Sequence, residues 1–147
     1  PEDYDCRANI MFAATMALNH LICCGVPQDW SSHLIGHEIT ALYGLDHAET
    51  LAIVMPKVLE YKKAQKLDKL VQLVFGINEK SKSKAADATI LAMKKFFVKM
   101  GAGVELKSYK LPADAPEAIG KNIAKNYDRL GENADITPED VVKIMKL

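Results

Sequence analysis

The sequence predicts an all-α protein. Three observations carry this. Apolar residues recur at three- and four-residue spacing along most of the chain, helix start and stop residues bracket those stretches, and no segment alternates apolar and polar residues as a half-buried strand would. The chain has 147 residues, 49% of them hydrophobic and 26% charged, which suits one ordinary domain with a real core. Nineteen Lys and Arg balance nineteen Asp and Glu. That balance argues against a dedicated nucleic-acid binder, which carries a basic excess.

Taken in order, Asp5 can cap a helix over Cys6–Cys24, with Ile10, Met11, Ala14, Ala17, Leu18 and Leu21 at helical spacing and Gly25 as the stop. The surrounding Ala8–Gln28 run is nearly uncharged. Asn9, Asn19 and His20 interrupt it, and Ala, Thr and Cys dilute it, so it reads as a buried core helix rather than a membrane span. Gly25-Val26-Pro27 is punctuation. Ser31 or Ser32 can then start a helix that runs to Tyr43 and stops at Gly44.

Asp46-His47-Ala48-Glu49 has the form of a capping box, opening an apolar helix through Leu51–Met55 that Pro56 should kink or end. Leu59–Phe75 carries Leu67, Leu70, Val71, Val74 and Phe75 on one stripe and ends at Gly76. Lys84–Met100 places Ala88, Leu91, Ala92, Phe96 and Met100 at helical spacing before Gly101. Val104–Tyr109 is irregular, extended for a few residues. Pro116–Asn126 is a short helix. Thr137-Pro138-Glu139-Asp140 is a helix start, with a Thr N-cap, Pro at the first position and an acid at the third, leading into Val141–Leu147. Residues 1–147 thus form a single helical domain of six or seven helices without an internal repeat. Lys62, Lys63, Lys66, Lys69, Lys80, Lys82 and Lys84 read as a solvated face.

The three cysteines, Cys6, Cys23 and Cys24, are odd in number and lack CxxC spacing. They fit a reduced, cytoplasmic compartment, with Cys23 and Cys24 buried and inert late in an apolar helix. The acidic PEDYDCR start has no apolar signal region. A first residue of Pro rather than Met leads to the expectation of a processed, truncated or excised chain.

Chemistry concentrates in Ser32–Pro56, which holds His33, His37 and His47, three of the four histidines. His33 and His37 lie four apart, so a helix projects them from one face. Neutral imidazoles ligate Zn, Fe, Ni and Cu. Two on one helix and a third at the mouth of the next could close a site that leaves a position open for substrate, with Glu38 and Asp46 orienting imidazoles from behind. Ordinary polar contacts explain the same spacing equally well. The stretch is not HExxH, because no histidine follows His37-Glu38 at the required place. Gly36 interrupts its helix at a cost of about 1 kcal/mol relative to Ala, which suggests close approach of something to that face. His20 stands apart, as a capped or partly exposed residue.

The stretch HLIGHEITALYGLDHAETLAIVMP resembles the signature of the iron-containing (group III) alcohol dehydrogenases: a His, then Gly-His-Glu three residues on, then Gly-x-x-His-Ala leading into an apolar helix with Pro. YDCRANIMFAATMALN, GVPQDW and GENADIT resemble the branch of butanol dehydrogenases and broad-range aldehyde reductases. The resemblance implies a multi-helical domain of the dehydroquinate synthase-like type. It would be the C-terminal, metal-binding part of a two-domain, NADH- or NADPH-dependent enzyme that interconverts primary alcohols and aldehydes by hydride transfer.

By position in the motif, His33 and His47 match two ligands of one Fe2+ or Zn2+. His37 matches a catalytic, non-ligating histidine near the nicotinamide. The other two family ligands, an Asp and a His, and the Gly-rich dinucleotide loop would lie before Pro1, so no cofactor-binding residue is assigned here and the isolated chain is expected to be inactive. The resemblance also implies a homodimer for the full-length protein, acting on a small alcohol or aldehyde, with no nucleic acid and no membrane. Two other functions remain in view: a metal-assisted hydrolase using all three histidines, and a non-catalytic helical interaction module.

Overall fold

A computed structural model describes residues 2–65 and 75–147. Six α-helices are present among them: α1 (Tyr4–Leu18), α2 (Ser31–Tyr43), α3 (His47–Tyr61), α4 (Lys82–Lys99), α5 (Ala115–Asn126) and α6 (Pro138–Lys146). Short 3-10 turns at Leu21–Cys23 and Leu106–Tyr109 join them. The described residues contain no strand, only one isolated antiparallel bridge between Leu130 and Ile136. The all-α prediction holds.

The core is built by α2, α3, α5 and α6. Ile35 and Ile39 of α2 meet Ile53 and Val54 of α3, Ile119 and Ile123 of α5, and Val141 and Ile144 of α6, all fully buried. Each such side chain contributes about 1.5–3 kcal/mol through removal from water. Asn122 Nδ2 donates to Glu38 Oε2 at 2.7 Å, tying α5 to α2. Glu38 is therefore engaged away from the imidazoles.

The helix ends follow local chemistry. Gly44 takes φ +72° and returns its N–H to the Thr40 carbonyl at 2.8 Å, closing α2. Thr137 and Asp140 form the expected capping box on α6. No such box forms on α3. Asp46 is the N-cap residue, but its side chain makes no capping bond, and Thr50 N–H bonds the Asp46 carbonyl instead. Pro56 does not end α3, which continues to Tyr61; buried packing of Val54, Pro56, Lys57 and Val58 outweighs the hydrogen bond that Pro cannot donate.

Several expectations are corrected. The first helix starts after its N-cap Asp3, whose Oδ1 accepts from Cys6 N–H at 2.9 Å. It ends at Leu18 rather than Cys24, because Asn19 Oδ1 accepts Leu21 N–H and His20 turns left-handed at φ 67°. No residue of α1 is buried: Ile10, Met11 and Phe12 are 70, 71 and 67% exposed. Its apolar residues surround the helix, and no described element covers them. In α4 the buried face is Ala85, Ala86, Thr89 and Ile90, packed against Leu59 of α3 and Ile77, while Leu91, Phe96 and Met100 lie outside.

Lys62 is not on a solvated face. It is 3% exposed, 2.9 Å from Asp135 Oδ1 and 3.8 Å from Asp29 Oδ2. Lys57 is likewise buried on Glu105 at 2.9 Å. Leu67, Leu70, Val71 and Val74, with Lys66 and Lys69, fall outside the described residues.

Candidate metal centre

The site grows from the α2–α3 pair. Asp29 Oδ1 accepts Ser31 N–H at 2.9 Å and Ser31 Oγ–H at 2.5 Å, starting α2 where no side-chain N-cap is present. His33 then sits in its first turn and His37 one turn further on. Gly36, between them, is buried against α3: a Cβ there would lie 2.8 Å from Thr50 Oγ1 and 3.7 Å from His47 Cε1. Glycine thus permits the close approach that brings His47, in the first turn of α3, against α2. Thr50 Oγ–H in turn donates to the His47 carbonyl at 2.8 Å.

All three histidines converge. His33 Nδ1 and His47 Nε2 are 3.0 Å apart, and ring nitrogens from His33, His37 and His47 lie within 4.8 Å of one another. The His37 and His47 ring centroids stand 4.6 Å apart. His33 and His47 are half-buried, whereas His37 is exposed. The Trp30 ring meets His33 at 5.1 Å between centroids, inclined by 53°, a contact the sequence signals only through an aromatic three residues before a histidine on one helix end.

Burial holds the His33 imidazole below the ordinary histidine value, and His37 pushes the same way. Burial does so at His47 too, with help from His37 and His33. Both are therefore neutral at neutral pH, the form that ligates metals. Two imidazole nitrogens bound to one ion at about 2.0–2.1 Å stand about 3–3.4 Å apart, which the His33–His47 spacing fits. His47 Nδ1 is buried with no hydrogen-bond partner among the described residues. A buried unpaired polar group costs about 1–3 kcal/mol, so stability alone does not explain this ring. His20 lies outside the cluster; its ring faces Trp30, with centroids 6.3 Å apart.

Fold and site define an all-α domain whose central helix pair carries a converging imidazole cluster. The chain belongs to the Fe-containing alcohol dehydrogenase family: residues 1–147 match its C-terminal region. It is 48% identical over 141 residues to the NADPH-dependent aldehyde reductase YqhD of Escherichia coli, a match covering 93% of this chain and 36% of that protein. It is 35% identical over 147 residues to the NADP-dependent alcohol dehydrogenase 3 of Entamoeba histolytica, covering 98% and 37%. Among solved structures, E. coli YqhD superposes with a TM-score of 0.94 at 45% identity, covering 99% of this chain and 38% of that one. The NADH-dependent butanol dehydrogenase A of Thermotoga maritima gives 0.90 at 30% identity, covering 99% and 39%. The chain spans little more than a third of the length of these relatives. No helix among its described residues is long and apolar enough to cross a membrane.

Proposed function

We propose that this chain is the metal-holding helical domain of a larger, nicotinamide-dependent alcohol dehydrogenase that interconverts primary alcohols and aldehydes by hydride transfer. The observation that carries the proposal is the 3.0 Å approach of His33 Nδ1 to His47 Nε2, in a chain of this family whose relatives include an aldehyde reductase and an alcohol dehydrogenase. In this reading His33 and His47 are two of the ligands of one Fe2+ or Zn2+, and the remaining ligands come from outside the chain. The bound metal supplies Lewis acidity at the substrate oxygen.

This chain's own residues do the rest. Trp30 and the α2–α3 contact fix the two ligand rings. His37, exposed at the edge of the cluster, holds and moves a proton at a ring nitrogen open to substrate. NADH or NADPH is bound mainly by the part of the enzyme outside this chain. The uncovered apolar surface of α1 supports that reading, as the face the remainder of the enzyme would occupy.

The test is made in the full-length enzyme by following aldehyde-dependent oxidation of NADPH or NADH together with metal content. His33→Ala and His47→Ala lose metal and activity together. His37→Ala keeps the metal and lowers kcat by roughly 10²-fold or more, the scale of general acid–base catalysis. Reductase activity in the 147-residue chain alone would contradict the reading.

A further inference from the structure

Between α1 and α2 the chain passes Cys23 and Cys24, free thiols that are half-buried and exposed rather than inert core residues, and then enters α2 through Gln28, Asp29 and Trp30. This entry is closely tied. Trp30 Nε1–H donates to Gln28 Oε1 at 3.0 Å, Asp29 Oδ1 accepts both Ser31 bonds, and Leu34 N–H bonds the Trp30 carbonyl at 2.9 Å. His33 lies inside that first turn, with the Trp30 ring against it. The other Asp29 oxygen, Oδ2, stands 3.8 Å from Nζ of Lys62, the residue that caps the C-terminal end of α3. The same ammonium is 2.9 Å from Asp135 Oδ1, in the turn closed by the Leu130–Ile136 bridge. The segments GVPQDW and GENADIT, distant in the chain, thus meet at one buried cation. Gly131 keeps room for it: a Cβ there would lie 2.8 Å from Asp135 Oδ1 and 3.5 Å from Lys62 Nζ.

We propose that Lys62 is a positioning residue for the imidazole pair: by holding Asp29 and Asp135 together it fixes the entry to α2, and with it Trp30 and His33 opposite His47. This rests on the reading of His33 and His47 as metal ligands. Stability alone does not account for a buried ammonium, because burying the charge is costly and well-packed apolar side chains of similar volume often stabilise as well. An ammonium bound from two sides instead fixes where its partners stand. Asp29 is engaged through both oxygens, by Ser31 on one and Lys62 on the other, so its carboxylate cannot rotate without losing one of them. The start of α3 meets α2 through His47 and Thr50, and its end reaches the α2 entry through Lys62. Two points of attachment define how α2 enters, and so the 3.0 Å separation of His33 Nδ1 and His47 Nε2.

Trp30 is the single tryptophan, so its fluorescence reports the α2 entry without a metal. In the 147-residue chain, with folding verified by circular dichroism, Lys62→Met should move that emission to longer wavelength as the ring gains water. It should also weaken Co2+ affinity, followed by the visible spectrum, about 10- to 100-fold, the scale for losing a group that orients a ligand imidazole. Asp29→Asn keeps an oxygen for Ser31 but presents no charge to Lys62. It should move both readouts the same way, and it carries the test where Lys62→Met does not fold. The double variant should bind Co2+ no more weakly than Lys62→Met, because both changes break one contact. Lys57→Met is the control: it breaks the other buried lysine pair, with Glu105, and should leave both readouts at their wild-type values. Unchanged Trp30 emission or Co2+ affinity in the Lys62 and Asp29 variants, or equal changes in Lys57→Met, would overturn the proposal. A wild-type chain that gives no Co2+ spectrum would instead overturn the metal-holding reading, and the emission comparison would then decide the positioning by itself.

Discussion

Replacing Gly36 by Ala tests whether close approach of α2 to α3 builds the site. Two effects oppose one another. Alanine gains about 0.8–1.0 kcal/mol over glycine in helix propensity. Its Cβ, however, would lie 2.8 Å from Thr50 Oγ1, and Thr50 is fully buried, with that oxygen bonded to the His47 carbonyl. The hydroxyl cannot simply swing away, so the helices must part by a few tenths of an ångström. Overpacking of this kind costs about 1–3 kcal/mol, and the expected balance is a net loss of about 1 kcal/mol in urea unfolding.

The sign should reverse where the obstacle is removed. In a Thr50→Ala background the nearest atoms that remain are the Cβ of residue 50 at 3.5 Å and His47 Cε1 at 3.7 Å, both ordinary contacts. Gly36→Ala should then stabilise, giving a coupling of about 1–3 kcal/mol in the double-mutant cycle. If Gly36→Ala stabilises the protein equally in both backgrounds, the glycine is not what admits α3, and the steric account is refuted.

Other perturbations follow from the same structure. Lys62→Met leaves Asp135 and Asp29 facing each other without their cation; because both carboxylates keep some access to water, the expected loss is about 2 kcal/mol, below the 3–5 kcal/mol of a fully buried broken pair, measured by urea unfolding. Asp140→Asn removes the acid of the α6 capping box and should cost about 1 kcal/mol near neutral pH. Lys143, with Thr137 and Tyr61, holds the Asp140 carboxyl far below the usual range against the opposing effect of burial. Its contribution is thus present above the unfolded value of about 3.9 and is lost as pH falls through the folded one. The unfolding free energy of Asp140→Asn should accordingly fall less steeply than wild type between pH 4 and pH 2 (roughly the range of carboxyl titration).

The legible parts of the fold were those set by local chemistry. Gly44, the Thr137–Asp140 box and the Ala115–Asn126 helix each depend on neighbours a few residues away. The histidine cluster was legible because His33 and His37 share a helix face and His47 opens the next helix. What failed depended on distant partners. Helical spacing at Ala88, Leu91 and Phe96 cannot say which face of α4 meets α3, and apolar composition cannot say what covers α1. Lys62 looked like one charge among seven because Asp135 is 73 residues away. The pairing of His33 with His47, rather than with His37 on the same face, came from resemblance and not from spacing.

The central claim is that His33 and His47, and not His37, are the metal-holding pair. Titration of the 147-residue chain with Co2+, followed by its visible ligand-field spectrum, tests it most directly. Wild type should bind weakly, far short of nanomolar affinity, if the remaining ligands lie outside this chain as proposed. His37→Ala should bind as wild type does, while His33→Ala and His47→Ala should each abolish the spectrum. Loss of the spectrum in His37→Ala would contradict the division of roles, and nanomolar binding to the wild-type chain would contradict the incomplete site.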